Sequence, residues 1–197
     1  MRELVALGDV DGAATVAIRA YGGEIFGFLL AIHPADDASD VFSAFSERLW
    51  RSLGKFAWQC PLRAWAYVIA RNESRRALDG AKRRGKREAP LSPSAVSGVA
   101  AEVRSKTLSL YATENKTALA ALRDGLPEDE RMLLVLRMDR ELEWIDLARV
   151  FHDGEAELEA EELKREAARL RKRFQLVKAK LLDLGTQRGL FRRSSGE

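Results

Sequence analysis

The stretch DDASDVFSAFSERLWRSLGKF, Asp36 to Phe56, decides how the chain folds. Val41, Phe42, Phe45, Leu49, Trp50 and Leu53 recur at steps that place them on one broad apolar face of a helix, and Gly54 supplies its stop. Such a face is stable only when other elements cover it. The flanking sequence provides two. Upstream, Val16, Ala20, Ile25, Phe28, Leu29 and Ile32 predict a helix that Pro34 terminates. Downstream, Lys55 to Cys60 reads as a loop, and Pro61 opens a third helix through LRAWAYVIARNESRRAL, with Leu62, Trp65, Ile69 and Leu78 facing inward. Three helices close one small core.

Beyond Gly85 the composition shifts to Gly, Ser, Pro and Ala with weak periodicity, as in APLSPSAVSGVAA, which predicts a flexible linker. Helical pattern resumes near Glu114 with TALAALRDGL. Pro127 then starts a helix whose first turn is acidic, where carboxylates favour the helix dipole. A short helix, EWIDLARVF, precedes a long one from about Leu158 to Leu184 with Leu163, Ala167, Leu170, Phe174, Val177 and Leu181 on one face. Short helix, turn, long basic helix is the helix-turn-helix order. No segment has strand period. The expectation is an all-α chain of two small helical domains, 1–84 and 114–186, joined by a flexible linker, 85–113, and followed by a tail, 187–197.

Composition narrows the function. Of 197 residues, 46% are hydrophobic and 32% charged, which suits a soluble helical protein. Cys60 alone excludes an internal disulfide and a multi-cysteine zinc site, so no metal or cofactor is expected. No stretch approaches a membrane span and the N-terminus lacks a signal-peptide layout, so the expected location is the cytoplasm. Enzymatic function is not expected: His33 and His152 are isolated, and no nucleophile triad, carboxylate pair or phosphate loop stands out. Net charge is only +3, yet eight basic residues against two acidic ones fill 71–87, and eight against Glu166 alone fill 164–180. Two separated cationic patches suggest two contacts with a polyanion.

The run DDASDVFSAFSERLWRSL followed by PLRAWAYVIARNESRRALDGAKRR resembles region 2 of the sigma-70 family, and LPEDERMLLVLRMDRELEWIDLARVF with LKREAARLRKRF resembles region 4. The specific matches are Asp37-Ala38, Asp40, Arg48-Leu49-Trp50, Pro61 to Trp65 and Ile69 to Asn72. Length leaves no room for region 1.1 or a folded region 3, so the extracytoplasmic-function (group IV) type is implied. That resemblance implies a factor that binds core RNA polymerase, at the clamp of the largest subunit and the flap of the second largest. It would direct the enzyme to promoter DNA, with an anti-sigma protein as a further partner. Asp40, Phe45, Glu47, Arg48 and Trp50 would meet the polymerase. Two departures stand out: Ser43-Ala44 occupy the place of the family's Gln-Glu, and the turn before the long helix is about five residues longer, with Asp153 to Glu162 strongly acidic.

Promoter opening requires bases to leave the stack, and proteins hold such bases by aromatic stacking and edge hydrogen bonds. Trp58, Gln59 and Trp65 offer those groups for the −10 element, although helical spacing also suits Trp65 to a core. Asn72, Arg75 and Arg76 lie at i, i+3 and i+4 and so share one side of their helix, and Lys82, Arg83 and Arg84 would track phosphate. On the long helix, Arg165, Glu166 and Arg169 are candidates for base readout at the −35 element and Lys172 and Arg173 for phosphate, with Lys164 on the same basic face. The alternative is a stand-alone helix-turn-helix regulator whose first domain dimerises or binds a ligand.

Overall fold

The computed structural model describes residues 1–81, 94–114, 118–154 and 158–190. Among these the chain forms nine helices and no strand. It divides into two compact units, Met1–Thr113 and Glu114–Glu197.

In the first unit, α1 (Arg2–Ala6) leads into α2 (Val10–Leu30), whose N-cap Asp9 accepts a hydrogen bond from the Gly12 amide at 2.8 Å. Its buried stripe is Ala13, Ala14, Ala17, Ile18, Gly22, Ile25 and Phe26. Val16 and Ala20, expected on that face, are exposed. Small side chains let α2 approach its neighbours closely, and the stripe runs through them rather than through the larger Val16.

Helix α3 (Ala35–Leu53) buries Val41, Phe42, Phe45, Leu49 and Leu53, and α4 (Leu62–Ala81) buries Leu62, Ala66, Tyr67, Ile69 and Ala70. Phe42 packs on Phe26 at 5.1 Å between ring centroids and on Phe45 at 5.6 Å, while Phe28 meets the Tyr67 ring edge-on at 5.8 Å. A buried hydrogen bond of 2.6 Å joins His33, just past α2, to Ser74 Oγ of α4. Arg63 of α4 grips Glu24 of α2 through two parallel 2.8 Å bonds, and the carboxylate raises the guanidinium pKa above its already high ordinary value. By length and composition α2 is apolar enough to cross a membrane, contrary to the expectation that no stretch is. Its apolar side instead lies in the core with α3 and α4, and it does not indicate insertion.

Part of the expected linker is ordered. Residues 94–114 form α5 (Ser94–Glu114), with Val96, Val99 and Ala100 buried. The periodicity looked weak because its inward positions carry Val and Ala rather than large apolar residues. A Cβ placed on Gly22 would lie 3.1 Å from Val103 Cγ1, so the glycine permits α5 to sit close on α2.

The second unit contains α6 (Ala118–Arg123), α7 (Glu128–Met138), α8 (Trp144–Phe151) and α9 (Ala160–Gln187). Arg123 binds both carboxylate oxygens of Asp139, at 2.6 and 2.9 Å. Met132 to Leu136, Leu147, Ala148 and Val150 are buried with Leu163, Ala167, Leu170, Phe174 and Val177 of α9. Replacing Phe42 by Ala should cost about 3–5 kcal/mol of folding free energy, whereas Val16→Ala should stay within about 0.5 kcal/mol. Urea unfolding monitored by circular dichroism measures both.

Candidate nucleic-acid and polymerase interface

Between α3 and α4 the loop 54–61 brings two aromatic rings, Phe56 and Trp58, into one stack with Trp65 of α4. Phe56 lies against Trp65 at 4.5 Å between centroids, nearly parallel, and against Trp58 at 4.9 Å. The Arg2 guanidinium sits 5.8 Å from the Trp58 ring centroid. Trp58 has φ +60°, a left-handed conformation that costs a non-glycine residue about 1–2 kcal/mol. The stack holds it there. Trp58 and Trp65 are both half-buried and Gln59 is exposed, so the stack keeps ring surface at the protein boundary.

Past Trp65, the positions Val68, Asn72, Arg75 and Arg76 continue along the same side of α4, each exposed or half-buried. Arg76 pairs with Glu73. Arg71, counted in the cationic run, is buried at 2% exposure and contributes nothing to a surface patch. Lys82, Arg83 and Arg84 lie outside the described residues.

The expected polymerase contacts do not all share one surface. Asp40 and Arg48 are exposed, and Glu47, half-buried, pairs with Arg51 at 2.6 Å. Trp50 donates its indole N–H to Asp11 Oδ1 at 2.6 Å, which pins α3 to the start of α2. Phe45 is 1% exposed and stacks on Phe42. As a contact it is corrected to a core residue, because its position continues the Val41, Phe42, Leu49 stripe.

In the second unit, α8 ends at Phe151 and α9 begins at Ala160, so the connection exceeds the three or four residues of a compact helix-turn-helix. Glu159 caps α9 reciprocally with Glu162: the Glu159 carboxylate accepts from the Glu162 amide, and the Glu162 carboxylate accepts from the Glu159 amide at 3.1 Å. Two of the six acidic residues therefore form a helix start, and the others include Glu155 and Glu157, outside the described residues. Leu158, expected in the helix, precedes this cap.

Lys164, Arg165 and Arg169 project into solvent, 65 to 77% exposed, and each has a carboxylate three residues before it: Glu161 at 2.6 Å, Glu162 at 3.8 Å and Glu166 at 3.0 Å. Lys172 is exposed and Arg173 half-buried, the latter 4.0 Å from Asp129. Sequence reasoning missed the anchor of this helix. Trp144 packs edge-on against Phe174 at 5.6 Å with Arg137 at 4.8 Å and Arg171 at 5.6 Å over its ring. The Arg2 contact was also missed, since nothing local marks a residue so far from Trp58 in sequence.

Residues 17–84 match the model of the sigma-70 region 2 family, about a third of the chain and most of the first unit's three-helix core. The match supports a sigma-70 family member. Region 2 is a module of non-enzymatic transcription initiation factors, and it implies core RNA polymerase and promoter DNA as partners. No curated protein and no solved structure matches the chain.

Removing the Trp58 ring and its strained backbone together, by Trp58→Gly, should change folding free energy by less than about 1 kcal/mol. Phe56→Ala, which unstacks two neighbours, should cost about 2–3 kcal/mol. Urea denaturation followed by tryptophan fluorescence separates them. Glu162→Ala should lower stability by about 1 kcal/mol through loss of the cap.

Proposed function

We infer that the protein is a sigma factor of the extracytoplasmic-function type, acting in the cytoplasm. The first unit docks on the clamp of the largest polymerase subunit through Asp40, Glu47 and Arg48, and recognises and melts the −10 element. The observation that supports this most is the aromatic stack Trp58, Phe56, Trp65 lying in line with Asn72, Arg75 and Arg76 on the outer side of α4. Rings at the boundary offer faces on which unstacked bases lie, and the polar and cationic residues beyond them meet base edges and phosphates. A half-buried ring held in a strained conformation fits a binding role better than a packing role.

The second unit reads the −35 element with α9, entering the major groove at its N-terminal half and meeting the flap of the second-largest subunit elsewhere. Arg165, Glu166 and Arg169 face bases, and Lys164, Lys172 and Arg173 face phosphate. Their exposed ion pairs are weak in water, so exchanging Glu161 for a phosphate, or Glu162 and Glu166 for base edges, costs little. An anti-sigma protein covers these surfaces until a signal arrives.

Purified core polymerase with the full chain should give run-off transcripts from a cognate promoter, and core alone should give none. A footprint on DNA without polymerase, together with no transcription when polymerase is added, would instead identify a stand-alone helix-turn-helix regulator. Because phosphate neutralisation carries much of the affinity, promoter binding by the polymerase complex should fall about tenfold or more between 50 and 200 mM salt, measured by fluorescence anisotropy.

A further inference from the structure

Helix α5 lies on the flank of α3 that borders its polymerase-facing residues. Arg104 donates to Ser43 Oγ at 2.7 Å and to the Ser39 carbonyl at 3.4 Å. Ser43 stands where the sequence departs from its family's Gln-Glu. Its neighbours on the same face are Asp40, at i−3, and Glu47, at i+4. A helix is about 10 Å across with its side chains, so one seated beside Ser43 narrows the approach to both carboxylates. The seat is fitted to α5: Gly22 admits Val103, and a Cβ on Gly23 would be 3.7 Å from Thr107 Oγ1. Two adjacent glycines inside α2 weaken that helix, and at Gly22 the missing side chain leaves room for Val103 of α5.

The seat is also shallow. The buried residues of α5 are Val96, Val99 and Ala100, with Leu108 at 36% exposure, so little apolar area holds it. Elements with few buried apolar contacts open at low free-energy cost. We propose that α5 is an intramolecular shield, docked across the Ser39–Ser43 edge of α3 in the free protein and displaced when core polymerase engages Asp40 and Glu47. The proposal rests on the polymerase-docking role of α3.

The test uses the full chain with Cys60→Ser and the pair Gly23→Cys and Thr107→Cys, where a Cβ on residue 23 would lie 3.7 Å from Thr107 Oγ1; a disulfide between them, verified by mass spectrometry, locks α5 down. Binding of the labelled protein to purified core polymerase is measured by anisotropy, oxidised and reduced. The oxidised form should bind at least about tenfold more weakly than the reduced form. A second variant, Val99→Asp with Arg104→Ala, alters only α5 and should bind threefold or more tightly than wild type. Equal binding by locked and reduced forms, or no gain in the second variant, overturns the shield while leaving the sigma-factor reading intact. Failure of every form, wild type included, to bind core polymerase removes that reading and the shield with it.

Discussion

The packing of Phe28 on Tyr67 ties α4 to α2, as the cluster of Phe26, Phe42 and Phe45 ties α3 to it, and the exposed chemistry of the first unit follows from the position this gives α4. Tyr67, Ala66, Ile69 and Ala70 use up the inner side of α4, so Trp65, Asn72 and Arg76 are left on the outer one. The loop before α4 lays Phe56 on Trp65. Cross-links along α2 hold this register: Trp50 to Asp11 near its start, Arg63 to Glu24 within it and His33 to Ser74 beyond its end. A lost contact in the aromatic core would therefore be felt at the loop, though the loop buries little itself.

Electrostatics work differently in the two units. In the first, Arg71 is buried and Arg63 is committed to Glu24, so the cations available to an outside anion are fewer than the sequence suggests. In the second, the cations of α9 stand in solvent beside their own carboxylates, spaced by three residues. Such pairs contribute little to stability because water screens them, but they lower the net field of the helix. Any attraction to nucleic acid then depends on the carboxylates giving way, and that makes Glu161, Glu162 and Glu166 as relevant as the cations.

Much of the fold was legible because large apolar residues mark it at helical spacing: α3, α8 and the inner stripe of α9 lie where Leu, Phe and Val recur, whereas the inner face of α4 runs through Ala66, Tyr67 and Ala70 and leaves Trp65 and Leu78, expected inside, only half-buried. What escaped was carried by small residues or by distance. Much of the inner face of α2 runs through alanines and Gly22, which carry little hydrophobic signal, and α5 resembles a linker in sequence for the same reason. Of the candidate site, Trp58, Trp65, Asn72 and Arg76 could be found from residue type and position. Burial of Phe45 and Arg71 could not be separated from exposure without knowing where the neighbouring helices pack. Arg2 reaches Trp58 only through the tertiary path of α1.

The central physical idea is that the ring stack at the head of α4 receives bases that have left the duplex. Permanganate reactivity of thymines in the −10 element, measured with core polymerase and either wild type or Trp58→Ala at equal occupancy of core, addresses it directly. Reactive thymines with wild type, and at least tenfold less reactivity with Trp58→Ala, are the predicted result. Equal reactivity with both proteins would contradict it and leave Trp58 as a packing residue of its loop.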